Sequence, residues 1–151
     1  MRIETYLKQS PVYQIHRAAR ILTASMGRLL ADRQVNLLEA LVLVSVFFED
    51  PRPVQPSRLA ETFSTTRGNI SHCVSGLEAK GLLRRQIDPE DSRAFHLALK
   101  PQGRKCAMEL IRVLDHLQRQ LERRIGTNEI DTALSVIQGV ERVCGSLAEG
   151  G

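Results

Sequence analysis

The sequence is poor in the residues that usually mark a catalytic or metal-binding protein. Its 151 residues include no tryptophan, two tyrosines, four phenylalanines and three cysteines. Cys73, Cys106 and Cys144 are far apart and form no CxxC pair, which argues against a zinc site or a disulfide framework. The four histidines are scattered, and the chain has no HExxH motif and no phosphate-binding glycine loop. We therefore expect a protein that is not an enzyme and that has no metal and no cofactor.

Long apolar runs are also missing. The longest, residues 40–48, is broken by Ser45 and is too short to cross a bilayer. The N-terminus lacks the apolar segment of a signal peptide, so we expect a cytoplasmic protein without a membrane partner. The composition of 42% hydrophobic and 25% charged residues suits one globular domain. The net charge of +4 leans only weakly towards an anionic partner.

Most of the chain has apolar residues at helical spacing. Ser10 and Pro11 are expected to open the first clear helix, which runs to about Arg33, and its length of over ~30 Å suggests a partner chain. Further helices are predicted over residues 37–48, 56–63, 67–80, 101–125 and from 127 onward. Their predicted boundary residues are Asn36 as a cap, the turn at residues 64–66, Gly81 as a stop and Thr127 as a cap.

The spacing of the apolar residues changes from helical to alternating between residues 82 and 99. Two short, partly alternating segments, 82–87 and 94–99, flank a polar stretch of turn formers and charges at 88–93. This pattern predicts a β-hairpin. The order of short helix, tight turn, helix and hairpin over residues 56–99 is that of a winged helix-turn-helix, whose second helix enters the DNA major groove.

The helix over residues 67–80 has one narrow apolar stripe. With that stripe turned inward, the opposite face carries small or hydrogen-bonding residues: Gly68, Asn69, Ser71, His72, Ser75, Gly76 and Ala79. Such residues allow close approach to base edges, although an ordinary polar surface helix is the alternative. The hairpin has Arg84, Arg85 and Arg93 among acidic residues, which suits either an arginine in the minor groove or a solvated loop of screened charges.

The segments Leu77–Leu83 (LEAKGLL), Asp91-Ser92-Arg93 and Leu97–Gly103 (LALKPQG), together with the helix order, resemble the MarR family of bacterial transcription regulators. The resemblance covers nearly the whole chain. It implies a mainly helical winged helix-turn-helix fold with a small β-hairpin wing and long terminal dimerisation helices. It also implies two recognition helices in successive major grooves, wing arginines in the minor groove, and positioning of Arg93 by Asp91. The family often has arginine at the position of His72 and Asp-Arg at Ser75-Gly76.

On this basis the chain is predicted to be one domain, residues 1–151. Residues 34–100 would bind DNA, and residues 1–33 and 101–151 would form the dimer. The predicted function is transcription regulation, with repression expected, by a homodimer on a pseudo-palindromic operator in double-stranded DNA. The predicted DNA contacts are Ser64, Thr65, Thr66, Arg67, Gly68, Asn69, Ser71, His72, Ser75, Arg84, Arg85, Asp91 and Arg93. The alternative is a helical adaptor whose winged part does not bind DNA.

Two forms of control are considered. The resemblance implies a small aromatic effector, for which Tyr13, His16, Arg20, Phe47 and Phe48 are candidate contacts, unless they are only packing or surface residues. Inert packing is the favoured interpretation of all three cysteines. If one were redox-active it would be Cys73, because His72 and Arg67 could lower the pKa of its thiol.

Overall fold

The computed structural model describes residues 2–150. This part of the chain is mainly helical with one two-stranded antiparallel sheet, as predicted. The elements in chain order are α1 Ile3–Gln9, α2 Pro11–Leu30, a 3-10 turn Ala31–Arg33, α3 Leu37–Glu49, α4 Pro56–Thr62, α5 Arg67–Ala79, β1 Leu83–Ile87, β2 Phe95–Leu99, α6 Pro101–Ile125 and α7 Thr127–Glu149. None of the helices in residues 2–150 combines the length and the apolar character needed to cross a membrane.

The chain forms two compact units. One runs from Met26 to Leu114 and contains α3, α4, α5 and the hairpin. The other combines the residues up to Ser25 with those from Asp115 onward. Residues 34–100 lie wholly inside the first of these, which we call the winged-helix unit. The second, built from parts of α2 and α6 together with α1 and α7, is called the helical unit.

The winged-helix unit holds the apolar core. Leu43 of α3 and Ile70, Val74 and Leu77 of α5 are fully buried there, as is Leu83 of β1. Burying one such side chain contributes about 1.5–3 kcal/mol, so α5 is fixed by its inward stripe rather than by its weak helix propensity. That stripe is the one that the sequence predicts.

Several predicted boundaries need correction. Helix α1 precedes the helix that begins at Pro11, so the latter is the second helix. The α-helical part of α2 ends at Leu30 and is followed by the 3-10 turn to Arg33. Thr127 does not cap α7, because Gly126 with φ 103° occupies the cap position and Thr127 is already helical. Asn36 does cap α3, and Glu39 completes a reciprocal capping box with it.

Candidate nucleic-acid interface

The turn between α4 and α5 is tight because Ser64 adopts a left-handed conformation with φ 49°. The Ser64 N–H donates to the Glu61 carbonyl at 3.1 Å, and the Thr65 N–H donates to the Ala60 carbonyl at 2.9 Å. These two bonds satisfy backbone groups at the end of α4 while the chain reverses. Only four residues, 63–66, therefore separate the two helices, as a helix-turn-helix requires.

The N-terminus of α5 is capped by a side chain. Thr66 Oγ1 accepts from the Asn69 N–H at 3.0 Å, and the Asn69 amide donates to Thr65 Oγ1 at 2.9 Å. The predicted cap at residues 64–66 is therefore Thr66 itself. Thr66 and Asn69 are exposed, so this first turn of α5 presents backbone N–H groups and hydroxyls to an approaching anion.

Helix α5 separates its side chains as predicted, with one exception. Ile70, Cys73, Val74 and Leu77 are buried. Exposed positions on the helix are Arg67, Gly68, Asn69, Ser71, His72, Ser75 and Ala79. The exception is Gly76, which was placed on the outer face but is half-buried. A Cβ at Gly76 would lie 3.0 Å from Glu39 Oε1, so this glycine accommodates α3 and not a ligand.

The C-terminus of α5 leads directly into the hairpin. Gly81 has φ 72°, its N–H donates to the Glu78 carbonyl, and the Leu82 N–H donates to the Leu77 carbonyl. This is the glycine-dependent helix stop that the sequence predicts. Strand β1 then pairs with β2 in the register Leu83 with Leu99 through Ile87 with Phe95. The hairpin forms the wing.

The wing tip is held by hydrogen bonds from its backbone N–H groups to its aspartate side chains. Asp91 Oδ1 accepts from the Arg93 N–H at 2.9 Å, and Asp88 Oδ1 accepts from the Glu90 N–H at 2.9 Å. Asp91 therefore shapes the loop at Arg93, but it forms no ion pair with the Arg93 guanidinium among residues 2–150. The expected ion pair between Asp91 and Arg93 is replaced by a hydrogen bond to the Arg93 backbone, which leaves the exposed Arg93 guanidinium available to bind DNA phosphates or bases.

Arg85 connects the wing to α5. Its guanidinium pairs with Glu78, its backbone N–H donates to Glu78 Oε1 at 3.0 Å, and a further N–H donates to Ser75 Oγ at 3.3 Å. The same guanidinium lies 5.3 Å from the ring centre of Phe95. Arg85 is half-buried in these contacts, whereas Arg84, its predicted companion at the DNA, is exposed. The cations of this surface that point to solvent are thus Arg67, Arg84 and Arg93.

The predicted effector residues belong to different units. In the helical unit, Tyr13 lines a cleft of about 390 Å³ together with Glu4, Leu7, Lys8, Gln14 and Arg17, while His16 and Arg20 are exposed and outside that lining. In the winged-helix unit, Phe47 packs against the core and lies 5.4 Å below the Arg104 guanidinium. Phe48 is 63% exposed and meets Phe47 edge to face.

The sequence did not indicate a second cleft, which lies within the winged-helix unit. Its volume is about 340 Å³, and its lining includes Asp50, Arg52, Gln86, His96 and Arg104. The Nδ1 atom of His96 is buried there without a hydrogen-bond partner among residues 2–150. Contact between residues 50–53 and the back of the wing has no local sequence signal.

The thiol of Cys73 does not have the environment of a redox switch. Burial, together with a smaller contribution from the nearby Glu39 carboxylate, raises the pKa of Cys73 to about 11. The expected lowering of this pKa by His72 and Arg67 is therefore wrong, because the thiol lies on the inner face of α5, away from them. Burial also raises the pKa of Cys106.

Comparison with known proteins supports the same architecture. The model of the MarR family matches residues 36–95, which run from the cap of α3 to the start of β2. The transcriptional repressor MprA of Escherichia coli K12 is 23% identical over 117 residues, 78% of this chain and 66% of MprA. The match therefore spans slightly less than two thirds of the length of that relative.

Two solved structures with DNA have a similar fold. The Staphylococcus aureus MepR–DNA complex superposes with a TM-score of 0.80 at 15% identity, covering 89% of this chain and 98% of MepR. The structure of the repressor CouR bound to a 23-mer DNA duplex superposes with a TM-score of 0.75 at 24% identity, covering 89% of this chain and 94% of CouR. The helix-turn-helix and the first strand of the wing lie in the part of the chain, residues 36–95, that matches the MarR family of transcription regulators, and the solved structures of that family have a similar fold.

Proposed function

We propose that this chain is a repressor that binds a pseudo-palindromic DNA operator as a homodimer, in the cytoplasm. The observation that carries the proposal is the outer face of α5, where every exposed side chain from Arg67 to Ser75 is small, polar or basic. A helix in the major groove needs such a face, because bulky apolar or acidic groups would be excluded by the bases and phosphates. The relative MprA is a repressor, and MepR and CouR are bound to DNA.

The wing supplies the second part of the proposed interface. Arg93 lies at the exposed tip and Arg84 on the exposed part of β1. An arginine of this kind favours a narrow, negatively charged minor groove. The acidic side chains around the tip are partly occupied with backbone N–H groups, which limits their competition for Arg93.

The helical unit supports the dimer. Helix α7 spans 23 residues and buries none of them within one chain. Its exposed apolar residues include Leu134, Val136, Val143 and Leu147, and those of α1 and α2 include Ile3, Tyr6, Val12, Ile21 and Leu22. An apolar groove of about 380 Å³ runs between α2 and α7. Apolar surface of this extent marks an interface, and a second copy of the chain is the partner we propose.

The effector proposal rests on the cleft at Tyr13. The Tyr13 ring lies beside two cations, Lys8 and Arg17, and one carboxylate, Glu4. An aromatic ring next to an excess of positive charge suits a small aromatic acid. The other predicted contacts, His16, Arg20 and Phe47, are not among the residues that line this cleft.

The test uses a duplex that the full-length protein selects from a random-sequence pool. We expect half-sites centred about 10 bp apart and a steep fall in affinity with salt. Arg93→Ala should weaken binding about tenfold and reduce the salt slope by about two, since two copies of Arg93 contact one duplex. Arg112→Ala, an exposed arginine of α6, is the control with the same change in charge.

Three results of this titration would contradict the proposal or its parts. Failure to select any sequence would overturn sequence-specific binding. Equal behaviour of Arg93→Ala and Arg112→Ala would favour the adaptor alternative. Adding benzoate should release the wild type from DNA more readily than Tyr13→Ala, and equal release of both would overturn the effector site.

A further inference from the structure

A partly buried ion pair joins the C-terminal end of α5 to the N-terminal end of α3. Lys80 Nζ donates to both carboxylate oxygens of Glu39, each at 2.8 Å, and to the Gln34 carbonyl at 2.8 Å. The Glu39 side chain is only 8% exposed, and that of Lys80 is 36% exposed. These three residues belong to the winged-helix unit, and none was expected to have a functional role.

The geometry of the pair is fully specified. Lys80 has three N–H donors and uses all of them on protein atoms. Glu39 Oε2 also accepts from the Asn36 N–H at 3.0 Å, while the Glu39 N–H donates to Asn36 Oδ1. A buried carboxylate is unfavourable unless it is paired and hydrogen-bonded. The ammonium group therefore has one favourable position, over the first turn of α3.

Gly76 shows how closely the two helices approach at this point. A Cβ at Gly76 would lie 3.0 Å from Glu39 Oε1, a separation that real Cβ atoms seldom show. The Glu39 carboxylate therefore lies close to α5 at Gly76, where there is little room for a side chain, and pairs with the ammonium group of Lys80. Two contacts separated by one helical turn restrain the tilt of α5 as well as its distance from α3.

The same pair lies far along the helix from the predicted DNA contacts. The exposed, capped end of α5 begins at Arg67, and Lys80 follows the last helical residue. About 1.5 Å per residue over thirteen positions separates the two ends by roughly 20 Å. A small rotation at Lys80 is therefore a displacement of ångströms at the end that meets the bases.

We propose that Glu39 and Lys80 are positioning residues for sequence recognition: their ion pair sets the tilt at which α5 enters the major groove. The proposal rests on the proposed DNA binding. It assigns Lys80 no contact with DNA, because its donors are already used. Lys80 therefore contributes to the discrimination between sequences and not to the general attraction between the protein and DNA.

The experiment measures affinity for the selected duplex and for a scrambled duplex over a series of salt concentrations. The variants are Lys80→Met, Glu39→Gln and the double variant, and Lys105→Met, an exposed lysine of α6, is the matched control. Each single variant should lower the preference for the selected duplex about tenfold or more, since α5 no longer aligns both its ends with the base edges. The scrambled duplex should bind within about twofold of wild type, with an unchanged salt slope.

The double variant tests whether the two residues act as one unit. If they do, it should lose no more preference than the worse single variant, because the interaction is already absent there. If the two residues acted independently, their losses of preference for the selected duplex would multiply. Lys80→Arg covers the case in which Lys80→Met does not fold: it keeps the charge, but a planar guanidinium cannot reproduce the three bonds, so the preference should fall about threefold to tenfold with the salt slope unchanged.

Three results would overturn the inference. A preference within about twofold of wild type in both Lys80 variants would show that the pair has no role in recognition. A salt slope reduced by about one to two, with equal loss on both duplexes, would show that Lys80 contacts phosphates instead. Amide exchange in the DNA-free protein gives a separate measurement: residues 76–81 should exchange faster in Lys80→Met, and unchanged exchange would contradict the restraint itself.

These outcomes are distinguishable from failure of the proposed function. A wild-type protein that binds selected and scrambled duplexes equally would overturn sequence-specific binding. In that case the exchange rates of residues 76–81 would still decide whether the pair restrains α5.

Discussion

At the scale of single residues, several positions of α5 are constrained by neighbouring segments and not by the proposed DNA-facing surface of the helix. Gly76 contacts Glu39, Cys73 is buried, and Glu78 holds Arg85. The sequence placed Gly76 with the outer residues because a helical wheel assigns angles but not the direction from which a neighbouring helix approaches. Likewise, Arg85 and Arg84 are equivalent in sequence, and only the alternation of a strand sends one of them towards α5.

Cys73 gives the protein a specific dependence on alkaline pH. In the unfolded chain a cysteine ionises near pH 8.5, whereas burial raises the pKa of Cys73 to about 11 in the folded protein. The folded state therefore binds the proton more tightly, and this contribution to stability is complete below about pH 8.5 and is lost as the pH rises towards 11. The loss should be about 3 kcal/mol in the free energy of unfolding.

Urea unfolding at a series of pH values measures this. Cys73→Ala removes the titrating group, so the difference in stability between wild type and variant should shrink or reverse between about pH 8.5 and 11. Cys144→Ala, at an exposed site on α7, should follow the wild type. If the free energies of unfolding of the wild type and Cys73→Ala varied in parallel with pH, burial would not control the pKa of this thiol.

At the scale of elements, the prediction from sequence succeeded where local chemistry decides the structure. The buried stripe of α5, the Thr66 and Asn36 caps and the Gly81 stop all follow from nearest-neighbour rules, and all are present. Helix α1 was missed because its seven residues bury none of their side chains and have no clear period. The cleft behind the wing was missed because it is formed by segments about fifty residues apart.

Gly103 shows a close approach between α6 and the start of the wing. A Cβ on this buried glycine would lie 1.7 Å from the Leu82 carbonyl oxygen, which already accepts from the Lys100 N–H at 3.0 Å. Gly103→Ala should destabilise the protein by about 2–4 kcal/mol, because backbone must move. The better helix propensity of alanine, about 1 kcal/mol, is too small to compensate.

The matched control for this substitution is Gly27→Ala. Gly27 also lies within a helix, but nothing is within 4 Å of the position that its Cβ would take. Thermal melts should show a lower Tm for Gly103→Ala and an equal or higher Tm for Gly27→Ala. A Gly103→Ala protein that melts with the wild type would mean that α6 and Leu82 are farther apart than described.

At the scale of the whole molecule, the two units differ in how they satisfy their apolar residues. The winged-helix unit encloses its own core, whereas α7 leaves large apolar side chains exposed over its whole length. The resemblance to the MarR family predicts a dimer through these helices, and exposure of this kind is what such a dimer would cover.

Val143→Glu tests this association. Val143 is 59% exposed on α7, so a glutamate there should leave the fold of one chain intact and place a charge in the proposed interface. The dimer dissociation constant should rise at least about tenfold, equivalent to roughly 1.4 kcal/mol. Sedimentation and circular dichroism together separate dissociation from unfolding.

The control is Phe48→Glu, at a residue of the winged-helix unit that is 63% exposed. It makes a similar change in polarity outside the proposed interface and should sediment as the wild type does. If both variants remain dimeric, the exposed face of α7 is not what holds the copies together.

The unburied helix α7 also has a consequence for dosage. If the chain is the repressor proposed above and only the pair of chains occupies DNA, then in the dilute regime the amount of active repressor varies with the square of the free chain concentration. Halving synthesis would lower it about fourfold by mass action. A gene under such control would respond more steeply than in proportion to the supply of its regulator, and that steepness would come from the apolar surface of α7.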